Sequence, residues 1–233
     1  MSELSRRSFL GAGGAAFLAP SPQNTETPSV SLLADALRQV GRDPGELALS
    51  PEIQPLTRPG ATILGPAVTT KWEPGRTAPG SDAIGRFVFQ PIDEAPPGSI
   101  WVVASGTGAL LSMFGDLIAL AAKRRGILGA VTDSGCRDVA TMDDIGFAAF
   151  GKGTVCFGPG DAITPVDANV PVVCGGVPVA PGDLVAADRD GVLVIPRDAI
   201  DAVLAACRDL QQREDAVRRE IERGVPLRRA YSL

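Results

Sequence analysis

Residues 133–138 read Asp-Ser-Gly-Cys-Arg-Asp and follow directly on the apolar run at 127–131. A chain that leaves a buried strand and at once presents Asp133, Arg137 and Asp138 can do one of two things. It can use the polar groups to make a turn, Asp133 capping it and Arg137 and Asp138 facing water. Or it can hold a cation and an anion side by side. Asp138 is the candidate ligand for a hard divalent ion, and Asp116, after a Gly-rich turn, is available as a second carboxylate. Mg²⁺ takes one or two carboxylates and keeps several waters, so two acidic residues are a sufficient set. Arg137 offers a planar fork that binds a substrate carboxylate through two hydrogen bonds.

The rest of the inventory narrows the chemistry. The chain has no histidine. That removes the Ser-His-Asp triad, the Cys-His pair, the histidine general base and histidine-ligated zinc. Lys71, Lys123 and Lys152 are the only lysines, so a Schiff-base mechanism would rest on one of three residues. Lys123 reads as an exposed helix charge. Cys136, Cys156, Cys174 and Cys207 form no C-x-x-C pair and fit no disulfide or metal framework. They read as small buried apolar residues. Cys136 is set apart by Arg137 beside it, since a guanidinium can lower a thiol pKa.

The elements that must position these groups follow from composition and pattern. The 233 residues, 45% of them hydrophobic, suffice for one sizeable core. A formal net charge of −5 without a basic patch argues against nucleic acid as a partner. Residues 1–30 stand apart from the domain at 31–233. Ser5-Arg6-Arg7-Ser8-Phe9-Leu10 and the weakly apolar run after it look like a twin-arginine (Tat) export signal. That reading implies a periplasmic protein; without export the protein is cytoplasmic. The run is too short to span a membrane. Its "GAGG" is no nucleotide loop, because no strand precedes it. The polar, Pro-rich residues 20–30 read as a linker.

Within the domain, 31–40 carry Leu32, Leu33, Ala36, Leu37 and Val40 at helical spacing, and Gly41 stops the helix. Residues 61–72 read as a strand interrupted at Gly65-Pro66, hence an edge or a bend. Residues 99–105 and 127–134 read as buried strands. Between them 109–125 read as a helix with Leu110, Leu111, Phe114, Leu117, Ile118 and Ala121 on its apolar side. A compact set of strands is expected over 170–196, with turns at Gly175-Gly176, Pro181-Gly182 and 188–191. A charge-laced amphipathic helix is expected from Asp198 to about Arg223. Alternating strands and helices followed by clustered strands give a mixed α/β domain of layered sheets.

These residues carry a resemblance. "FGDLIALAAKRRGILGAVTDSGCRD" resembles the RraA-like family, which includes the 4-hydroxy-4-methyl-2-oxoglutarate/4-carboxy-4-hydroxy-2-oxoadipate aldolases. Those aldolases carry an Asp, twenty intervening residues and then Arg-Asp; here Asp116 is followed by residues 117–136 and then Arg137-Asp138. The segments around 63–70, 170–196 and 213–224 are similar as well. The family pattern has Asp-Gly where this chain has Asp133-Ser134, with Gly135 one place later. An export-like leader also departs from it.

The resemblance implies a swivelling β/β/α layered domain that assembles as a homotrimer or hexamer with sites between subunits. It implies that Asp138 binds Mg²⁺ (or Mn²⁺) directly and Asp116 through water. Arg137 and the backbone amide around Ile118 would hold the pyruvyl group of a 2-oxo acid. A C-terminal helix carboxylate from a neighbouring subunit, Glu214 ahead of Asp215 and Glu220, would complete the site. The implied reaction cleaves a 4-hydroxy-2-oxo acid to the enolate of pyruvate, and oxaloacetate decarboxylation passes through the same enolate. Some RraA-like proteins are instead non-catalytic regulators that bind ribonuclease E; the intact Asp116/Arg137/Asp138 set argues for the enzyme. A methyltransferase label also met in this family finds no Gly-rich cofactor loop here.

Overall fold

The computed structural model describes residues 27–58, 60, 62–75 and 77–232. The leader read at the N-terminus lies outside the described residues, apart from the end of its linker. The chain enters through α1 (Val30–Gln39), which Ser29 caps by accepting the Leu32 amide at 3.2 Å. Strand β1 (Gln54–Pro55) follows, then β2 (Ile63–Pro74). Helices α2 (Ser81–Ile84) and α3 (Gln90–Glu94), joined by a π-helical turn, lead to β3 (Ile100–Ala104). Next come α4 (Asp116–Arg124), β4 (Gly129–Thr132), β5 (Gly135–Cys136), α5 (Val139–Asp144) and β6 (Ala148–Gly151). The strands β7 (Gly153–Thr154), β8 (Ile163–Ala168), β9 (Val172–Cys174), β10 (Val177–Val179), β11 (Leu184–Asp188) and β12 (Gly191–Ile195) then run together. Helices α6 (Ile200–Glu222) and α7 (Leu227–Ala230) close the chain.

The main sheet has the order β1-β6-β4-β3-β2-β11-β12, with β8 also pairing with β2. Strands β2, β3, β4 and β6 are parallel, and α4 and α5 make the crossovers between β3, β4 and β6. One face of these strands, with Trp101, Val103 and Ala130, meets α2–α5. The other, with Ile100, Val102 and Val131, meets β9–β12 through Val172, Val179, Val185 and Val194. The outer face of β11 and β12, with Leu184, Leu193 and Ile195, is covered by α1 and α6. This is the expected mixed α/β domain of layered sheets, with an additional outer layer of helices.

Two expectations need correction. Gly65-Pro66 does not interrupt β2, which is one continuous strand near the centre of the sheet. The Ala67 amide bonds to Asp183 O at 2.8 Å, which puts Pro66 at a position where an N–H would point away from β11. Pairing with β3 begins only at Ala67, so no ladder bond is lost. Gly65 is required by space: a Cβ there would lie 2.0 Å from Gly98 O. The second correction concerns 109–125. The helix starts at Asp116, and its buried side is Ala119 and Ala122, while Leu117 is 76% exposed. Residues 109–115 run extended because their backbone bonds to the turn after β4 rather than to itself. Leu110, Leu111 and Phe114 only mimic helical spacing.

Candidate functional site

The carboxyl ends of parallel strands are where α/β sheets place their sites, because the loops leaving them diverge there. Here the loops after β3 and β4 are laced together. Gly135 N bonds to Leu111 O at 2.9 Å, Met113 N to Gly135 O at 2.9 Å, and Arg137 N to Phe114 O at 3.2 Å. Phe114 is anchored in the core against Trp101, ring centroids 5.5 Å apart, and the Trp101 indole N–H donates to Thr70 Oγ1 at 2.8 Å. Such a tilted aromatic pair contributes about 1 kcal/mol beyond its buried area. The core thus fixes Phe114, and Phe114 fixes where α4 begins.

Three of the residues singled out in sequence meet at that point. Asp138 Oδ2 lies 3.4 Å from Arg137 Nε and accepts the Asp116 amide at 3.4 Å. Asp116 Oδ1 accepts the Leu117 amide at 2.8 Å. Both bonds to Asp138 fall on Oδ2 and the bond to Asp116 falls on Oδ1. Each carboxylate therefore retains one oxygen for a ligand. Asp138 itself sits at φ 60°, ψ 33°. A left-handed conformation costs a non-glycine residue about 1 kcal/mol, and such strain concentrates at functional positions.

Sequence reasoning missed Gly115. A Cβ on it would lie 2.5 Å from Asp138 Oδ2 and 3.1 Å from Arg137 Nε. Its backbone is extended, at φ −136° and ψ −166°, so space rather than conformation requires the glycine. It also brings no side chain to cap α4, which leaves the positive end of that helix open toward the two loops. The signal was a glycine immediately before the candidate Asp, but nothing local says that another loop presses on it.

The remaining candidates separate. Asp133 acts as the turn reading expected: its Oδ1 accepts the Ser105 amide at 2.7 Å and ties the end of β3 to the end of β4. Ile118 is half-buried against the helical face of the core, in the first turn of α4. Glu214 lies on α6, which packs on α1 and α7 over the outer face of β11 and β12, on the far side of the strand layers from α4, so one chain does not bring it to Asp116, Arg137 and Asp138. It lines a wide groove between α6, Asp35 of α1 and Tyr231. None of the residues that line that groove belongs to the carboxylate–arginine corner.

Cys136 overturns the expectation of a lowered pKa. Burial in the core pushes its thiol up to about 12, with the nearby Asp138 charge acting the same way. Burial likewise raises Cys207 to about 11 and Cys174 well above the usual thiol range. Cys136 is inert packing and its neighbour Arg137 points elsewhere. The lysines are engaged: Lys71 with Glu73 at 2.6 Å and Lys152 with Glu52 at 3.0 Å. Lys123 is the exposed charge on α4 that the sequence led one to expect, and it donates to Ile145 O and, at 3.0 Å, to Gly146 O at the end of α5.

Among the described residues no three His, Cys, Asp or Glu side chains cluster as a metal site, and no helix is long and apolar enough to cross a membrane. Two carboxylates that each keep one oxygen unpaired are the kind of ligand a hydrated Mg²⁺ or Mn²⁺ takes, whereas zinc sites are mostly built on nitrogen and sulfur ligands, which this corner does not offer.

Comparison with known proteins places the fold and the family. A Halalkalibacterium halodurans protein provisionally named a 4-hydroxy-4-methyl-2-oxoglutarate aldolase is 34% identical over 159 residues, 68% of this chain and 75% of that protein. An uncharacterized Pseudomonas syringae protein superposes with a TM-score of 0.74 at 26% identity, covering 87% of this chain and 92% of the other. Streptomyces coelicolor RraAS2, described as an unusual member of the RNase ES inhibitor RraA protein family, gives 0.71 at 27% identity, covering 82% and 93%. The RraA-like family model, described as Aldolase/RraA, matches residues 30–194, which includes the whole carboxylate–arginine corner and stops before α6. The chain belongs to the RraA-like family.

Proposed function

We propose that this protein is a divalent-metal-dependent carbon–carbon lyase that cleaves 4-hydroxy-2-oxo acids such as 4-hydroxy-4-methyl-2-oxoglutarate to pyruvate, and that decarboxylates oxaloacetate. The observation that carries the proposal is the meeting of Arg137, Asp138 and the Asp116 amide within 3.4 Å at the carboxyl end of a parallel sheet. Arg137 is turned by its Nε toward Asp138, which leaves the two terminal nitrogens of the fork for the substrate's C1 carboxylate and C2 oxygen. The open start of α4, with the amide around Ile118, faces the same negative charge. As the C3–C4 bond breaks, charge gathers on the C2 oxygen, and donors already fixed there stabilise the enolate without reorganising. A Mg²⁺ or Mn²⁺ held by Asp138 and Asp116 would supply Lewis-acid polarisation of the oxo acid. Glu214 of a second copy of the chain takes the C4 hydroxyl proton in this reading, which requires a trimer or hexamer. No lysine is needed.

The test is pyruvate release from 4-hydroxy-4-methyl-2-oxoglutarate and from oxaloacetate, each with Mg²⁺, with EDTA and with Arg137→Ala. Metal-dependent turnover lost in the variant supports the proposal. An assembled, metal-supplied protein that turns over neither acid sinks it. The likeness to RraAS2 favours a second reading, a protein-binding regulator of a ribonuclease. Binding to an RNase E-type enzyme without any turnover would select that reading.

A further inference from the structure

Ser134 stands in the turn that follows β4. Its side chain is fully buried, at 0% exposure. The Leu111 amide donates to Ser134 Oγ at 2.8 Å. Ser134 Oγ in turn lies 2.9 Å from two carbonyl acceptors, Ala109 O and Leu111 O, to either of which its hydroxyl can donate. The carbonyl of Ser134 accepts the Lys152 amide at 2.7 Å, and its own amide donates to Thr132 Oγ1 at 3.2 Å. The residue is thus fixed to the main sheet by its backbone and grips the 109–115 segment by its side chain. From there the lacing runs in steps: Gly135 N to Leu111 O, Met113 N to Gly135 O, Arg137 N to Phe114 O, and the Asp116 amide to Asp138 Oδ2. The last contact is the weakest, at 3.4 Å, so a shift of a few tenths of an ångström at the Ser134 end undoes it.

We propose that Ser134 is a positioning residue whose hydroxyl holds the 109–115 segment against the turn after β4 and so sets the distance between the start of α4 and the Arg137–Asp138 pair. Glycine or alanine at 134 leaves the Leu111 amide without its partner and the extended segment without its first fastening. The consequence for turnover rests on the lyase reading above; the consequence for geometry does not.

The experiment compares the full chain with Ser134→Ala, Ser134→Gly and Ser134→Thr, the last keeping the hydroxyl. Three quantities are read: amide hydrogen exchange at Leu111, Met113 and Asp116, Mn²⁺ affinity by electron paramagnetic resonance, and kcat and KM on the 2-oxo acids. Expected in the alanine variant are at least tenfold faster exchange at these amides and at least fivefold weaker Mn²⁺ binding, both restored by threonine. The glycine variant gives the same answer should alanine fail to fold. Faster exchange or a lower Tm with Mn²⁺ affinity and kcat/KM within twofold of wild type would overturn the proposal, leaving Ser134 a purely structural residue. Wild type that binds no Mn²⁺ overturns it together with the metal reading. Wild type that binds Mn²⁺ but turns over neither acid removes only the lyase reading, and Mn²⁺ affinity still decides the role of Ser134.

Discussion

Two turns of this protein use nearly the same letters. One is Asp133 to Asp138 after β4, ending Arg137-Asp138; the other is Asp188-Arg189-Asp190-Gly191 between β11 and β12. In the hairpin, Asp188 is spent. Its Oδ2 accepts the Val30 amide at 2.9 Å and the Thr62 hydroxyl at 3.0 Å, and its Oδ1 accepts the Asp190 amide at 2.8 Å. In the other turn, Asp133 is similarly tied to Ser105, but Asp138 gives only one oxygen to the protein and sits in a left-handed conformation next to an arginine. A carboxylate whose oxygens are filled by the fold's own N–H and O–H groups stabilises that fold. One that the fold leaves half-filled, at some conformational cost, is available for a ligand.

That contrast can be broken by substitution. The largest effect is expected at Arg137: Arg137→Ala should lower kcat about 10²- to 10³-fold, the loss typical of a single donor to a developing oxyanion, with little change in Tm. Steady-state kinetics alongside thermal unfolding checks it, and a Tm loss matching the loss of activity would make Arg137 structural. Gly115→Ala comes next. Its Cβ would press within 2.5 Å of Asp138 Oδ2, and a displacement of about 1 Å at a reacting centre costs roughly 10²-fold in rate. Its backbone tolerates alanine, so folding should survive, and activity equal to wild type would show that the corner is not where chemistry occurs. Asp188→Ala should do the opposite: stability falls by about 1–3 kcal/mol in denaturant unfolding as three donors lose their acceptor, while kcat/KM of the folded protein stays put.

The smallest effects belong to the thiols. At pH 8 an alkylating reagent should label exposed Cys156 and leave Cys136 unreacted, because a thiol with its pKa raised to about 12 is almost wholly protonated there. Mass spectrometry of the native protein reads this directly. The sign for stability follows. Below about pH 9 the thiol is neutral in both folded and unfolded chains. Above it the unfolded thiol ionises first, so Cys136 lowers stability progressively as pH rises toward 12.

Residue types and sequence spacing were enough to determine a good deal. The absence of histidine excluded whole classes of mechanism, and the twenty residues between Asp116 and Arg137 carried the family. Buried strands at 100–104 and 129–132 and the long helix α6 were legible because their apolar runs and periodicity are properties of consecutive residues. What tertiary structure alone decided was everything that depends on a second segment. Residues 109–115 have helical spacing yet run extended, because their amides find partners on the turn after β4. Gly115 and Ser134 look ordinary in sequence and become decisive only when Asp138 presses on one and Leu111 on the other. A guanidinium next in sequence to Cys136 was a reason to consider a lowered thiol pKa, but neighbours at this turn differ in burial, Cys136 lying in the core and Arg137 exposed. Local propensity reads a chain one residue at a time, whereas close approach and hydrogen-bond pairing are properties of two.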